Sequence, residues 1–404
     1  IAMSMKVCSN LNMGIPGPIV HAMPPALWIA NTDELNTALS ALSGSDFVAI
    51  DTEFMRERTY YATLCLVQIA TRDACVLIDP LAVTDLQPLW NFLADRSRLK
   101  VLHSARQDLE VLWQAMSRAA PDTPTLPVPG PIFDTQIAAA LLGYPAQVGY
   151  ATLVTERLSH TLPKGQTRTD WTRRPLTPEQ LEYATDDVRY LVPLYEDLRA
   201  ALDAQGRLSW LAEEGLEMED PGLYRIEPAE AWRRLKGLDR LLPHQRATAK
   251  LLAAWRESRA MAKDKPRGWI LSDESLRDMV ERMPRNAEDL QSVRGLSANF
   301  LRKRTEEMLT IIAHGTSSGP RETPSVLSGR PEPEQTALVN RLMAAVRDEA
   351  ARSRIAPELL ATRRDLEQLV FAGRSDHLVN GWRGAVIGER LLALAAEAQS
   401  ATAG

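Results

Sequence analysis

The segment Asp51-Thr52-Glu53 combines residue types and spacing that suit metal chemistry. It ends the apolar run 47–50, which predicts a buried strand. Because residues i and i+2 of a strand point to the same face, Asp51 and Glu53 should project together. Adjacent carboxylates repel each other unless a cation lies between them, and Mg²⁺ and Mn²⁺ prefer oxygen ligands. The segment therefore predicts a divalent-metal site at a strand end.

Three more residues could complete such a site. Asp108 follows the strand-like segment 100–103 and opens a helix, while Tyr183 and Asp187 are spaced to share one helix face. If the sheet gathers the four carboxylates, they could hold two metal ions for phosphodiester hydrolysis, with the phenol orienting the attacking water. Each acid alone is also compatible with a turn, a helix cap or a solvated helix face.

The elements that must position these residues form an α/β pattern between residues 26 and 202. A helix that starts at Pro178, with Thr177 and Gln180 as its capping box, should carry Tyr183 and Asp187 towards Leu198. Short connections within 47–79 predict antiparallel pairing, and the whole pattern predicts a mixed sheet flanked by helices. Strands are predicted at 26–29, 47–53, 64–71, 75–79, 100–103 and 132–133, and helices at 33–42, 85–93, 107–115 and 135–142.

Beyond residue 205 the sequence predicts only helices. Residues 231–320 contain 18 Lys and Arg against 11 Asp and Glu, a local charge of +7, although the chain as a whole carries −5. An acidic body joined to a basic module suits a polyanion-binding enzyme, and a solvated surface is an equal alternative. A Gly-, Ser- and Pro-rich segment at 315–334 predicts a linker before a second helical unit at 335–398.

Composition excludes several classes of protein. No apolar run reaches the ~18 residues of a membrane span. The three cysteines have no metal-site or disulfide spacing, which indicates a reducing compartment and hence the cytoplasm. Prolines interrupt residues 1–25, so this segment is predicted to be a tag or a disordered leader rather than a secretory signal. The GxxxxGK[ST] phosphate-binding loop of ATP-driven motors does not occur.

A basic loop before the Pro178 helix is a candidate for substrate contacts. Lys164, Arg168 and Arg174 surround Trp171, and basic residues interleaved with an aromatic suit phosphate contacts and base stacking. A core position for Trp171 with cations on the surface is the equal alternative.

Two other segments are candidates for substrate contacts. Phe54 and Met55 directly follow the acidic pair and could wedge against terminal bases, or pack inside the sheet. In the basic unit, Arg294 and Gly295 belong to a predicted helix–turn element that could offer backbone N–H groups to phosphate.

Three segments together resemble the exonuclease motifs of the DEDD superfamily, Tyr-containing subgroup: 49–54, 102–110 and 183–187. Their order and the flanking segments 64–69 and 168–171 resemble the ribonuclease D family. The helical units from about Trp232 onward resemble HRDC domains. The resemblance implies a ribonuclease H-like mixed-sheet exonuclease domain at 26–225, HRDC-type helical domains at 226–318 and 335–404, and a linker at 319–334.

The resemblance also implies roles for the residues. Asp51, Glu53, Asp108 and Asp187 would bind Mg²⁺ or Mn²⁺, two ions per site, and Tyr183 would position the nucleophilic water. The implied activity is 3′→5′ trimming of RNA that releases 5′-mononucleotides, and the expected substrates are tRNA precursors. The enzyme is expected to be a monomer. A DNA 3′→5′ exonuclease and a non-catalytic RNA-binding scaffold remain the alternatives.

Overall fold

The computed structural model describes residues 25–123, 126–163, 169–317, 332–373 and 375–403. A six-stranded sheet with the order β1-β4-β3-β2-β5-β6 forms the centre of the N-terminal part. The strands β2, β3 and β4 pair antiparallel, as predicted, while β1, β5 and β6 join in parallel. The strand bounds are β1 Leu27–Ile29, β2 Phe47–Met55, β3 Thr63–Ala70, β4 Cys75–Ile78, β5 Leu99–Leu102 and β6 Ile132–Asp134.

Eight helices accompany or directly follow the sheet in the described residues. They are α1 Thr32–Leu42, α2 Gln87–Ala94, α3 Arg106–Ala119, α4 Thr135–Leu141, α5 Tyr150–Leu158, α6 Pro178–Arg189, α7 Leu191–Ala204 and α8 Leu208–Met218. The capping box at Thr177 and Gln180 and the Pro178 start of α6 are confirmed. The predicted continuous helix to Leu198 is wrong, because the chain turns at Tyr190 and continues as α7.

The two faces of the sheet have different covers. Side chains of one face, including Val48 and Ile50, pack with α1, α2 and α3. The opposite face, which carries Phe47 and Ala49, packs under α6 and α7. Residues Asp51 and Glu53 continue the alternation of this second face, and so β2 presents them to α6.

The C-terminal part is helical in the residues that the structure describes. The first helical unit contains α9 Pro243–Lys263, α10 Arg267–Ile270, α11 Asp273–Arg282, α12 Ala287–Gln291 and α13 Ala298–Ser317. The second contains α14 Pro333–Ser353, α15 Pro357–Leu360, α16 Arg363–Ala372, α17 Asp376–Val379, α18 Gly381–Arg383 and α19 Glu389–Ala403. Short 3₁₀ segments lie at Pro221–Leu223, Pro228–Arg234 and Leu238–Arg240, and a π-helical turn at Gly384–Gly388.

None of the described helices has both the length and the apolar character that crossing a bilayer requires.

Candidate active site

Three of the predicted ligands lie together where β2 meets α6. One carboxylate oxygen each from Asp51, Glu53 and Asp187 falls within 4.8 Å of the other two. Strand alternation brings the first two together, and the face of α6 that carries Tyr183 supplies the third. A hydrogen bond joins Tyr183 to the Asp187 carboxylate.

Asp108 approaches the same strand end from α3. It is buried, and its Oδ1 accepts a hydrogen bond of 2.5 Å from the hydroxyl of Thr52. Thr52 points away from the Asp51 face, so Asp108 is not a member of the close three-carboxylate group. Its charge nevertheless raises the pKa values of Asp51 and Glu53, which places it in the same electrostatic environment.

The electrostatics of this acidic cluster favour a bound cation. Burial, and then the neighbouring carboxylates, raise the pKa of Asp51 well above its usual range and that of Glu53 to about 8. Burial likewise raises the pKa values of Asp108 and Asp187 to about 7. Without a cation, the cluster therefore holds protons near neutral pH. A divalent ion would allow all the carboxylates to ionise.

The donor chemistry of the cluster fits Mg²⁺ or Mn²⁺. Every candidate ligand is a carboxylate oxygen, the type that these hard cations prefer. Gln68 on β3 pairs in register with Asp51 and is fully buried, and neither Oε1 nor Nε2 has a hydrogen-bond partner. An unsatisfied buried amide costs ~1–3 kcal/mol. A hydrated ion beside Asp51 would offer it partners.

Trp171 and Arg174 occupy structural positions, contrary to the prediction of substrate contacts. Trp171 is 2% exposed and packs with Leu66, Leu77 and Tyr183, so its faces are closed to a base. All five N–H donors of Arg174 are used: two on Asp79, and the others on the carbonyls of Cys65, Trp171 and Arg173. Lys164 and Arg168 lie outside the described residues.

The wedge residues and the helix–turn residues have different surroundings. Met55 is half-buried and lines a cavity of about 650 Å³ together with residues 56–59, which follow it in the chain. A bulge between Glu53 and Phe54 shifts the strand register there, and Phe54 packs against the opposite face of the sheet. Gly295 lines a separate cavity in the first helical unit, whereas the backbone N–H of Arg294 donates to Asp278. Substrate contacts by these four residues stay predictions.

Sequence reasoning missed Gln68 and Thr52 as parts of the site. Gln68 falls within an apolar strand, where a single amide is unusual enough to have been a signal. Thr52 alternates away from the acidic pair, and only the packing of α3 brings Asp108 to it.

The fold and the site together define a class of nuclease. Residues 27–203 match the family model described as 3′-5′ exonuclease, and residues 245–312 match the HRDC domain model.

Curated relatives then give the family. The chain is 36% identical over 369 residues to ribonuclease D of Nitrobacter hamburgensis, covering 91% of this chain and 94% of the relative. It is 37% identical over 382 residues to ribonuclease D of Acidiphilium cryptum, covering 92% and 94%. The crystal structure of Escherichia coli RNase D, an exoribonuclease involved in structured RNA processing, matches with a TM-score of 0.81 and 31% identity, covering 93% of this chain and 99% of that one.

The chain belongs to the ribonuclease D family. The predicted fold class, a mixed-sheet exonuclease domain followed by helical HRDC-type structure, is thereby confirmed, as is the prediction of a hydrolytic 3′→5′ exoribonuclease.

Proposed function

We propose that this enzyme trims RNA one nucleotide at a time from the 3′ end and releases 5′-mononucleotides by two-metal-ion hydrolysis. The proposal rests on the carboxylates of Asp51, Glu53 and Asp187, which each place one oxygen within 4.8 Å of the other two. Tyr183 is hydrogen-bonded to the Asp187 carboxylate. Together with Asp108, these acids would hold two Mg²⁺ or Mn²⁺ ions. Ions bound there supply an activated water and stabilise the leaving 3′ oxygen.

Tyr183 is suited to orient the water. Burial and the nearby carboxylates raise its pKa, so the phenol stays protonated at neutral pH. Because its proton is directed to Asp187, its oxygen lone pairs can accept a hydrogen bond from the attacking water. That water would attack the terminal phosphorus as the P–O3′ bond breaks, and the departing 3′ oxygen would take up a proton.

The family and the helical units support the choice of substrate. The relatives are named ribonuclease D, and the E. coli structure is described as that of an enzyme for structured RNA processing. We infer that tRNA precursors and similar small RNAs are the natural substrates, that the enzyme acts as a monomer in the cytoplasm, and that the domains at 226–318 and 335–404 shape the RNA entry.

Replacement of one ligand tests the metal-dependent chemistry. Asp51→Asn removes a charged ligand while keeping its shape, and we expect turnover on single-stranded RNA to fall by about 10²–10³-fold or more, the loss typical when one transition-state interaction is removed. Calorimetric titration with Mn²⁺ should show weaker binding. The matched control is Asp73→Asn, at an exposed turn between β3 and β4, which should leave both measurements unchanged. Undiminished trimming by the Asp51 variant would overturn the proposed mechanism.

A further inference from the structure

The first helical unit contains a positively charged cavity of about 390 Å³, enclosed by the end of α9, by α10 and by the start of α13. Four basic residues and no acidic residue line it: Arg259, Lys263, Lys303 and Arg304. The two arginines bind Glu307, which lies behind the lining. Lys263 and Lys303 are exposed and form no ion pair with any described residue. Two ammonium groups are therefore available to an anionic ligand.

Trp269 gives the same cavity an open aromatic face. It lies on α10 with 64% of its surface exposed, and the ammonium of Lys265 is 5.8 Å from its ring centroid. Trp255 and Phe300 also line the cavity and pack edge to face at 6.1 Å. The Nε1 of Trp255 donates to Glu307 at 2.7 Å, which holds this inner pair in place. Among the described residues the Trp269 indole has no such hydrogen bond, and its ring contact is the mobile, cationic Lys265 side chain, which a stacked base can replace or share.

The start of α13 adds backbone donors at the rim. Ser297 and Asn299 line the cavity where this 20-residue helix begins, and a helix N-terminus attracts phosphate through the N–H groups that its first turn leaves unpaired. The N–H of Phe300 is not one of these, because it donates to the Ser297 hydroxyl. The turn before it requires Gly295, whose φ is +75° and whose Cβ, if present, would lie 2.6 Å from the Ser275 hydroxyl oxygen. The turn thus brings bare backbone to the cavity wall.

We propose that this cavity, the Trp269 pocket, binds one nucleotide of single-stranded RNA upstream of the 3′ end that is cleaved. The base would stack on Trp269 and the flanking phosphates would lie between Lys263 and Lys303. Basic side chains beside an open aromatic ring are the combination by which proteins hold single strands without reading their sequence. The inference rests on the proposed exoribonuclease function and adds a second contact point for its substrate.

The position of the pocket relative to the acidic cluster supports an RNA occupant. Asp264, between Lys263 and Lys265, accepts hydrogen bonds of 3.0 Å from the backbone N–H groups of Tyr60 and Tyr61. These tyrosines belong to the loop that leaves β2, the strand of the acidic pair. The cavity beside Met55 is lined by Arg56 and Arg58 of the same loop, and also by Glu57 and Asp170. The contact at Asp264 therefore joins the loop that leaves β2 to the end of α9 that carries Lys263.

RNA binding as a function of chain length tests the proposal. Fluorescence anisotropy of 5′-labelled RNA in EDTA, which prevents cleavage, should show a rise in affinity once the RNA is long enough to reach the pocket. Trp269→Ala should weaken binding of an RNA of about 20 nucleotides by roughly tenfold, within the range that loss of one stacked base implies. It should change binding of a four-nucleotide RNA much less. Trp269→Phe should restore most of the affinity.

Matched controls separate the pocket from general effects on the unit. Leu242→Ala removes another exposed apolar side chain of the first helical unit, 57% exposed and outside the pocket, and should leave affinity unchanged. Lys263→Ala with Lys303→Ala should reduce the salt dependence of binding by about 0.7 in log–log slope for each phosphate that the protein no longer neutralises. Lys236→Ala, which removes one exposed charge outside the pocket, should not alter that slope.

The outcomes distinguish the two proposals. Absence of metal-dependent trimming of any RNA by the wild type would contradict the proposed function. Normal trimming by the wild type, with long RNA bound equally by the wild type and Trp269→Ala, would overturn the pocket alone. An equal loss of affinity for short and long RNA would also overturn it, as would concentration-dependent self-association that Trp269→Ala abolishes, because a second copy would then be the occupant.

Discussion

The two helical units attach to the catalytic domain in different ways. The second unit shares one continuous hydrophobic core with it, in which Leu342 and Trp382 pack together with residues of α4, α5 and α7. Trp382 also stacks on Trp210 of α8 at 4.9 Å and donates to the buried Glu214. The first unit has a separate core, and a polar network around Asp264 and Glu257 joins it to the β2–β3 loop.

This difference indicates a division of labour. A shared apolar core makes the second unit part of the body that holds the active site, because neither side can leave without exposing apolar surface. Water can replace hydrogen bonds when a polar contact opens, and less apolar surface is then exposed than when a shared core separates, so the first unit is attached more loosely, as an arm. The arm also carries the basic pocket. The molecule thus joins a fixed acidic body to a more loosely held basic arm.

Trp382→Ala should cause the largest loss of stability. It removes a side chain that is 3% exposed from the shared core, so the free energy of unfolding should fall by about 3–5 kcal/mol. Urea unfolding followed by circular dichroism measures it, and the catalytic domain should unfold together with the second unit. Leu392→Ala, at a residue 40% exposed, is the control and should stay within about 0.5 kcal/mol. Separate transitions for the two parts would contradict a shared core.

The metal-free body should lose stability as pH rises. Burial raises the pKa values of Asp108 and Asp187 to about 7 and that of Glu53 to about 8. The folded protein therefore binds more protons than the unfolded chain, whose carboxyls titrate near pH ~4. The stability that these protonated carboxyls contribute is fully present below pH ~4, where the unfolded chain is also protonated, and it is lost as the pH rises through 7 to 8.

We expect the melting temperature in EDTA to fall between pH 5 and 8, and Mg²⁺ to restore it most at pH 8. Differential scanning calorimetry provides the measurement. Asp51→Asn, which removes one of the repelling charges, should flatten the profile in EDTA. A rise in melting temperature over the same pH range for the wild type without metal would show that the cluster is not the source of the effect.

Loss of the polar contact should loosen the arm without unfolding the body. Asp264→Gly removes the carboxylate that accepts from Tyr60 and Tyr61 but keeps the left-handed backbone, φ +46°. Amide exchange at those two tyrosines should accelerate by about tenfold or more, since hydrogen bonds to charged groups contribute ~1.5–3 kcal/mol. Met283→Gly, at another left-handed helix end with φ +50°, is the matched control. Unchanged exchange in the Asp264 variant would mean that apolar packing holds the arm.

The smallest effect is expected from Arg118→Ala. Arg118 pairs with Asp264 at 3.3 Å, but the two side chains are 52% and 32% exposed. Exposed ion pairs contribute ~0–1 kcal/mol and weaken with salt. Thermal melts at low and high ionic strength should differ from wild type by at most a degree or two. A larger effect would show that Arg118, through this ion pair and its guanidinium 4.8 Å from the Tyr61 ring centroid, maintains the contact rather than the backbone hydrogen bonds.

The sequence predicted which residues lie together at the candidate site better than it predicted their surroundings. Alternation in β2 and the four-residue spacing in α6 are local rules, and the structure brings Asp51, Glu53, Tyr183 and Asp187 together as those rules predict. The catalytic roles of these residues stay predictions. The core position of Trp171 could not be predicted, because the sequence of a basic loop around an aromatic residue is the same whether the ring faces solvent or the core.

The sequence also did not predict how each helical unit contacts the catalytic domain. Both have similar apolar periodicity, and that periodicity shows which face of a helix is buried but not what covers it. Burial of Glu214 and Arg383 between α8 and the second unit follows from packing between distant segments.

The most direct test of the central claim compares RNA and DNA as substrates. The purified protein would be incubated with 5′-labelled single strands of the same sequence in Mg²⁺, Mn²⁺ or EDTA, and the products separated at single-nucleotide resolution. A ladder that shortens by one nucleotide at a time on RNA, and that EDTA abolishes, is the predicted result. Equal trimming of DNA would contradict the RNA specificity, and RNA binding without a ladder under either metal would contradict the exoribonuclease activity itself.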